Sequence, residues 1–230
     1  MSSIKRTARL AGLLYVVMSG LMVYSYMYLP ATFLVAGDAA ATARKITDGA
    51  LLYRIGILGD LVAQLLFVFV VLTLYQLFKD VNRMHARLMV ALVCVGVAVE
   101  IVNLATHIAP LVFLSGADYL SVFTRPQLEA LAMSSLRLGS GLGDLAIAIW
   151  GLWLFPFGIL TIRSGFFPRV LGWLLLVAGF AYVVTCVTAI VLPAQLAMVS
   201  RVVMPLYIGE LPIVLWLLVM GAKAPQVEAA

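Results

Sequence analysis

The sequence predicts an all-α integral membrane protein, a single six-helix transmembrane bundle that occupies residues 1–230. Three observations predict this class: apolar residues make up 64% of the chain, charged residues only 11%, and the charges fall in short islands between long apolar segments. About a quarter of the residues of a soluble domain are charged, because water has to wet its surface. Uninterrupted apolar segments of this kind require lipid around them.

The helix boundaries follow from the roughly 20 apolar residues that a helix needs to cross a bilayer. Six segments are long enough, and they lie near residues 9–35, 50–78, 88–115, 136–162, 169–192 and 203–221. Two further residues indicate where helices start outside these six segments. Asp38 is a candidate N-cap for a surface helix over residues 38–48, and Pro126 stands at a helix-start position ahead of the fourth span.

The basic residues predict the orientation of the chain in the membrane. If the N-terminus is cytoplasmic, one side holds nine basic residues, which are opposed only by Asp80 and Glu228. Basic loops stay in the cytoplasm, so both termini are expected there. The same distribution argues against a nucleic-acid partner, because no basic cluster exceeds an ordinary cytoplasmic loop.

The chain also carries the pattern of an internal triplication. Each odd-numbered helix starts at a basic Arg and reaches a Pro near its other end. Each even-numbered helix contains a Gly-Asp-Leu or Gly-Glu-Leu triplet preceded by an arginine. The triplets start at Gly59, Gly143 and Gly209, and the arginines are Arg54, Arg137 and Arg201. Three pseudo-repeated hairpins are therefore expected, with binding sites where the repeats meet.

Ionisable residues within the apolar segments mark the candidate site. A charge at bilayer depth costs several kcal/mol, so such residues face the protein interior and mark functional sites. Glu100, Asn103 and His107 are spaced so that they share one face of the third helix. The predicted ligand or cation pocket lies in the outer half of the membrane and consists of Asp60, Glu100, Asn103, His107, Asp144 and Glu210. The residues predicted to pair with these acids or to form a rim are Arg54, Arg137 and Arg201.

The glycines and aromatic residues of the spans are best explained by helix packing and by the membrane interface. Gly139 and Gly143 form a small-xxx-small step at which another helix can approach closely. The aromatic residues of the spans are expected to pack in the core or lie at the membrane interface rather than bind a ligand; they include Tyr15, Trp150, Trp153 and Tyr182.

Three functions remain open on these residues. The leading one is binding or transport of a small cationic or polar solute, with proton coupling as an option. The second is a metal-assisted intramembrane enzyme that would use the carboxylates and His107 as ligands. The third is a structural or accessory subunit whose buried charges are ion pairs.

The enzyme interpretation is the less favoured one, and no catalytic residue can be named. The chain has two histidines, His85 and His107, and no HExxH motif, which excludes a multi-histidine zinc site. No cofactor is indicated. The expected partners are membrane lipids and the solute, with a homo-oligomer or a larger membrane complex left open.

Four short segments carry a resemblance to a known family. They are residues 9–15 (RLAGLLY), 115–120 (SGADYL), 163–169 (RSGFFPR) and 209–211 (GEL), and they occur in the same order over nearly the whole chain. In these the sequence resembles the bacterial membrane family called domain of unknown function 4386. The resemblance implies a six-helix protein of a prokaryotic cytoplasmic membrane and carries no activity with it.

Overall fold

The computed structural model describes residues 3–222, and this part of the chain is helical and contains no strand. Six helical segments are long and apolar enough to cross a membrane: Ile4–Phe33, Ala50–Phe78, Arg83–Phe113, Arg125–Ser164, Arg169–Val191 and Pro193–Val219. The predicted all-α class and the predicted number of spans are confirmed. The chain has the helices of a multi-pass membrane protein.

Several spans contain more than one helical element. The α-helices in chain order are α1 (Ser3–Val23), α2 (Leu29–Phe33), α3 (Ala39–Asp48), α4 (Ala50–Phe78), α5 (Arg83–Phe113), α6 (Arg125–Leu152), α7 (Leu154–Ser164), α8 (Arg169–Val191), α9 (Leu196–Tyr207) and α10 (Leu211–Val219). A π-helical segment, Tyr24–Tyr28, joins α1 to α2 in the first span. A 3₁₀ turn, Ile208–Glu210, joins α9 to α10 in the sixth.

The predicted surface helix over residues 38–48 corresponds to α3, and Asp38 caps its N-terminus as predicted. Asp38 has an extended backbone, and its carboxylate accepts a hydrogen bond of 2.8 Å from the backbone N–H of Ala41. This is the geometry of an N-cap, which satisfies one of the free N–H groups of the first turn. Gly37 precedes it with a φ of +78°, a conformation that glycine adopts without strain.

The fourth span begins earlier than the predicted residue 136, because a cap lies upstream. α6 starts at Arg125, with Pro126 in its first turn. The backbone N–H of Thr124 donates a hydrogen bond of 2.8 Å to the side chain of Gln127, one half of a capping box. The hydropathy of the sequence predicts only the apolar part of the helix. The cap at Thr124 determines where its polar first turns begin.

The described residues divide into two compact units. Among them the first unit comprises residues 3–17, 65–97 and 144–222, and the second comprises Met18–Gln64 and Ala98–Gly143. Both units contain buried polar side chains and an apolar exterior. Leu51, Val102 and Val202, for example, are 73%, 68% and 71% exposed. An exposed surface made of such residues suits the acyl chains of a membrane.

Close helix contacts at glycine hold the first unit together. A Cβ atom on Gly158 would lie 2.8 Å from the carbonyl oxygen of Gly172, and one on Gly172 would lie 2.6 Å from the carbonyl oxygen of Gly158. Gly151 and Gly179 form a second reciprocal pair, with corresponding distances of 2.7 and 2.8 Å. The backbones of α6, α7 and α8 therefore touch, as small residues permit in membrane helices.

Aromatic side chains form the core of the first unit. Trp153 and Phe157 are almost fully buried and stack with ring centroids 5.3 Å apart. Phe78 contacts Phe157 edge to face at 5.9 Å, and Phe67 contacts Trp153 at 5.1 Å. The predicted packing role of Trp153 agrees with these contacts. Aromatic pairs of this geometry add stability beyond the area that they bury.

The second unit has a smaller core around Phe33 and Tyr53. Their rings meet edge to face with centroids 5.2 Å apart, and Leu29 and Ile46 are buried in the same cluster. The hydroxyl of Tyr53 donates a hydrogen bond of 2.9 Å to the backbone carbonyl of His107. This bond ties α4 to α5 near the residues of the predicted pocket.

Candidate functional site

Glu210 lies at a break in the sixth span. It closes the 3₁₀ turn between α9 and α10, and prolines stand on both sides of the turn at Pro205 and Pro212. Proline lacks a backbone N–H, so it interrupts the hydrogen bonding of a continuous helix. A Cβ atom on Gly209 would lie 2.8 Å from the carbonyl oxygen of Leu174, so this turn sits directly against α8.

Two tyrosine hydroxyls surround the carboxylate of Glu210. Tyr15 on α1 is 2% exposed, and its hydroxyl donates a hydrogen bond to Oε1 of Glu210. Tyr182 on α8 is also hydrogen-bonded to Glu210 through its side chain. Both donors are neutral. Within residues 3–222 Glu210 forms no ion pair, and Arg201 of the same unit is exposed.

The polar cluster of the first unit continues along α8. The ring of Tyr182 stacks on that of Tyr207 with centroids 4.3 Å apart and planes 8° from parallel. The hydroxyl of Tyr207 in turn contacts the hydroxyl of Thr185, which is 6% exposed. Glu210 therefore belongs to a group of hydroxyl-bearing side chains rather than to a group of charges.

A second polar cluster surrounds Glu100 in the second unit. Glu100 is 3% exposed, and Asn103 donates to it from Nδ2 at 3.3 Å. The hydroxyl of Tyr26, on the π-helical segment, is hydrogen-bonded to Glu100 as well. The hydroxyl of Thr106 donates to the backbone carbonyl of Asn103 at 2.7 Å, which extends the cluster along α5.

Asp60 joins this cluster through Gln64, one turn further along α4. Gln64 is fully buried, and its Nε2 donates a hydrogen bond of 3.1 Å to Oδ1 of Asp60. Tyr26 is hydrogen-bonded to Gln64 as well as to Glu100. The Oε1 atom of Gln64 is buried and has no hydrogen-bond partner. Buried amide oxygens are normally hydrogen-bonded, so this atom is an exception.

His107 and Gly139 lie at the edge of the second cluster. His107 is partly buried and within electrostatic range of Glu100. A Cβ atom on Gly139 would lie 2.3 Å from the hydroxyl oxygen of Thr106 and 3.3 Å from Oδ1 of Asn103, so α6 passes close to α5 at the predicted small residue. The other predicted contact residue, Gly143, has open space around it.

The six residues of the predicted pocket are divided between the two units. Four of them lie in the second unit, namely Asp60, Glu100, Asn103 and His107, and two lie in the first, namely Asp144 and Glu210. The structure brings Glu100 and Asn103 into direct contact and links Asp60 to them through Gln64 and Tyr26. Convergence of all six on a single pocket stays a prediction.

The predicted partners of the acids lie elsewhere. Arg54, Arg137 and Arg201 are exposed. An ion pair joins Arg125 to Glu129 instead. Ion pairing of the three arginines with the acids is therefore not observed there, because their long side chains extend outward from the helices. A rim of arginines stays a prediction. Asp144 is partly exposed, and the structure gives its carboxylate no hydrogen-bond partner within residues 3–222.

The predicted triplication depends on three Gly-Asp-Leu or Gly-Glu-Leu triplets. In the structure these three triplets have different surroundings. Gly209 presses on α8, whereas Gly59 and Gly143 have nothing near the position of a Cβ atom. Glu210 closes a 3₁₀ turn, whereas Asp60 and Asp144 lie within α-helices. The hairpin repeat stays a prediction from sequence.

The oxygen atoms of both clusters are of the kind that binds protons and hard cations. Among residues 3–222, no group of three or more His, Cys, Asp and Glu side chains is arranged to hold a metal ion. The available ligands are carboxylate, amide and hydroxyl oxygens, which prefer hard cations over transition metals.

Sequence analysis missed the side chains that bind the acids. The sequence predicts a packing or interface role for Tyr15 and Tyr182, and it predicts no role for Tyr26 or Gln64. Gln64 did leave a signal, because it is a polar residue in an apolar span, four residues after Asp60 and therefore on the same helix face. The tyrosines left none, since tyrosine is common in membrane helices for other reasons.

The comparisons with known proteins give one match. A family model described as "Domain of unknown function (DUF4386)" matches residues 10–221. No curated protein and no solved structure matches the chain.

Proposed function

This chain belongs to the DUF4386 family, whose description assigns no activity, and we propose from the chemistry of the site that it binds or transports a small cationic or polar solute. Glu210 is the residue that interacts with the solute, and Tyr15 and Tyr182 orient its carboxylate. We further propose that both termini lie in the cytoplasm, as the basic residues of the sequence favour. The membrane would be the cytoplasmic membrane of a prokaryote, as the family resemblance implies.

The observation that carries this proposal is the set of partners of Glu210. A carboxylate in a membrane-spanning segment is held by two neutral hydroxyls, at a helix break, with no ion pair in the described part of the chain. Hydroxyl groups lower the cost of burying the charge without cancelling it. A proton or a positively charged solute would cancel it, which makes Glu210 a binding group for either.

Helix breaks within membranes support the same conclusion. Irregular backbone at membrane depth is tolerated where it is buried in protein or lines a cavity, and transporters use such breaks to bind solutes and ions. Here the two irregular segments of the first and sixth spans, Tyr24–Tyr28 and Ile208–Glu210, each carry a member of one of the acidic clusters.

The alternatives have less support. A purely structural role for Glu210 predicts a basic partner, whereas Arg201, the partner predicted for it, is exposed. A metal-assisted enzyme would need a cluster of metal ligands, and no observation on the described residues favours one. The test below can also give the result expected of an accessory subunit, which is no response to any ligand.

The test is a ligand screen by thermal stability in detergent. The parent protein, Glu210→Gln and the control Glu129→Gln are heated with methylammonium, choline, spermidine, glucose or glycine betaine. A ligand at about a hundredfold its Kd stabilises the folded state by about 2.7 kcal/mol, which is readily detected. We expect at least one probe to raise the Tm of the parent and of Glu129→Gln, and to leave Glu210→Gln unchanged.

The positive probe is then tested for uptake in radiolabelled form. Proteoliposomes that contain the parent protein should accumulate it faster than empty vesicles or vesicles with Glu210→Gln, if the protein transports the solute; retention without uptake indicates binding alone. A panel in which no probe shifts the parent, or in which Glu210→Gln responds like the parent, would contradict the proposal and favour an accessory role.

A further inference from the structure

We propose that the turn between α7 and α8 binds the headgroup of an anionic phospholipid. Arg163 and Arg169 bind the phosphate of the lipid, and the neighbouring Trp173 lies at the level of the headgroups. The site uses none of the side chains around Glu210, so it does not depend on the proposed role of that residue.

The first step of the argument is the position of the turn at one end of the first unit. α1, α5 and α8 begin at this end, and α4, α7 and α10 end there. Phe78, the last residue of α4, contacts Phe166 and Phe167 of the turn, with ring centroids 6.5 and 5.9 Å apart. Arg9 of α1 donates a hydrogen bond of 2.8 Å to the backbone carbonyl of Val219, the last residue of α10.

The charges at this end are strongly unbalanced. The first or last two turns of these helices and the segments that join them carry one acid within residues 3–222, Asp80, against eight basic residues: Lys5, Arg6, Arg9, Lys79, Arg83, Arg87, Arg163 and Arg169. The second unit, by contrast, has five basic and six acidic residues. No single loop holds many of these charges, and the fold collects them. Such an excess attracts anions from outside the protein, and a bilayer supplies them as lipid headgroups.

The second step identifies a lipid as the anion, because the basic residues border an apolar surface. Arg169 is exposed, and Trp173, one turn later on the same face of α8, is 60% exposed. On α5, exposed Leu88 directly follows exposed Arg87. Tryptophan is enriched at the headgroup level of membranes, where one part of the ring is apolar and the N–H stays near polar groups. The acyl chains of a phospholipid would cover this apolar surface, whereas a water-soluble anion would leave it bare.

The third step is the fixed geometry of the turn. Gly165 ends α7 with a φ of +66°, which glycine adopts without strain. The hydroxyl oxygen of Ser164 accepts a hydrogen bond of 3.1 Å from the backbone N–H of Phe166, whose ring is buried. The backbone positions of Arg163 and Arg169 are therefore fixed before a lipid binds, which lowers the entropy cost of binding.

The helix crossing beside the turn brings the two arginines to the same place. A Cβ atom on Gly172 would lie 3.1 Å from the backbone nitrogen of Ile162. Arg163 directly follows Ile162, and Arg169 lies three residues before Gly172, so each arginine is within one helical turn of this contact. A guanidinium group donates two parallel hydrogen bonds to a phosphate, so two arginines can bind different oxygens of one headgroup.

The test is a lipid titration of the full chain in detergent, in which native mass spectrometry counts the bound lipids. The probes are palmitoyl-oleoyl phosphatidylglycerol and the phosphatidylcholine with the same acyl chains. We expect the parent protein to bind phosphatidylglycerol more tightly. A basic residue near an anionic lipid surface strengthens binding by about fivefold, so Arg163→Gln combined with Arg169→Gln should weaken the binding of phosphatidylglycerol by about thirtyfold. The binding of phosphatidylcholine should change much less.

Two further variants separate this site from general effects of charge and folding. Arg44→Gln combined with Arg54→Gln is the matched control, because it removes two exposed arginines from the second unit. It should keep the preference of the parent for phosphatidylglycerol. Arg163→Lys combined with Arg169→Lys retains both charges and should keep most of the binding, which distinguishes a lost charge from a disturbed turn.

Three results would overturn the proposal. They are a parent protein without preference for phosphatidylglycerol, a preference that survives the double glutamine change at Arg163 and Arg169, and an equal loss in the matched control. Displacement of the lipid by millimolar inorganic phosphate would also overturn it, because free phosphate would then be the ligand. Glu210→Gln should bind phosphatidylglycerol like the parent, so the lipid site and the solute site can fail independently.

Discussion

The two units accommodate a carboxylate within an apolar helix in different ways. In the first unit Glu210 lies at a helix break and receives the hydroxyls of two tyrosines that come from other helices. In the second unit Glu100 lies within the continuous α5 and receives the amide of Asn103 from its own helix, together with the hydroxyl of Tyr26. The comparison shows that neutral donors can bind an acid within a membrane-spanning segment, whether its backbone is a continuous α-helix or a 3₁₀ turn.

The packing around the two acids differs as well. Glycine pairs bring the backbones of α7 and α8 into contact in the first unit, which leaves little freedom for adjustment. The second unit is held by side chains such as Phe33 and Tyr53, and it retains an unsatisfied amide oxygen at Gln64. The first cluster therefore adjoins closely packed helices, whereas the second includes a buried oxygen without a hydrogen-bond partner.

The largest effect is expected where backbones touch. Gly172→Ala would place a Cβ atom 2.6 Å from a backbone oxygen, so α7 and α8 would have to separate. Overpacking of this kind costs about 3 kcal/mol. Gly143→Ala is the matched control, because nothing lies near its Cβ position and alanine favours a helix by about 0.5–1 kcal/mol. Thermal unfolding in detergent should separate the two variants in sign; equal effects would mean that the close contact is not real.

The second effect concerns the bond between Tyr15 and Glu210. A hydrogen bond to a charged group contributes about 1.5–3 kcal/mol, so Tyr15→Phe should lower the stability by about 2 kcal/mol. In a Glu210→Gln background the same change should cost less, since the acceptor is then neutral. A double-mutant cycle measures the difference, with exposed Tyr119→Phe as the control. An additive cycle would show that the two side chains do not interact.

The smallest effects are expected when the acids themselves are neutralised. Glu210→Gln and Asp60→Asn keep a hydrogen-bonding group beside their partners and remove a partly buried charge from a membrane-spanning segment, so they should be neutral or mildly stabilising. Asp144→Asn should change stability by less than about 0.5 kcal/mol, as is usual for a site without specific contacts. A loss of about 3–5 kcal/mol in any of them would instead indicate a broken ion pair. Thermal melts of the three variants beside the parent decide this.

Much of the architecture could be predicted because it depends on local composition. The spans follow from the length of apolar segments, and the second span was placed at its observed residues 50–78. Asp38 was identified as a cap from its position ahead of α3. Boundaries were wrong where a polar cap extended a helix beyond its apolar part, as at Arg125.

The site was predictable only in part. Acids in apolar segments are visible in a sequence because burying them is costly, and this identified Glu100 and Glu210. Their partners come from other helices, and the choice among partners depends on how each helix is rotated about its axis. A helix that is apolar on all sides gives no sign of that rotation, so Tyr15, Tyr182 and Tyr26 could not be assigned.

The sequence by itself determined that this chain is an α-helical membrane protein with six spans, and which of its acids lie within those spans. Its family membership followed from short motifs in order along the chain. The tertiary structure decided which neutral groups hold those acids, where glycines let helices touch, and that Gln64 carries an unsatisfied oxygen. The physical reason is that burial in a membrane depends on composition along one segment, whereas hydrogen bonds and close contacts depend on the relative positions of atoms far apart in the chain.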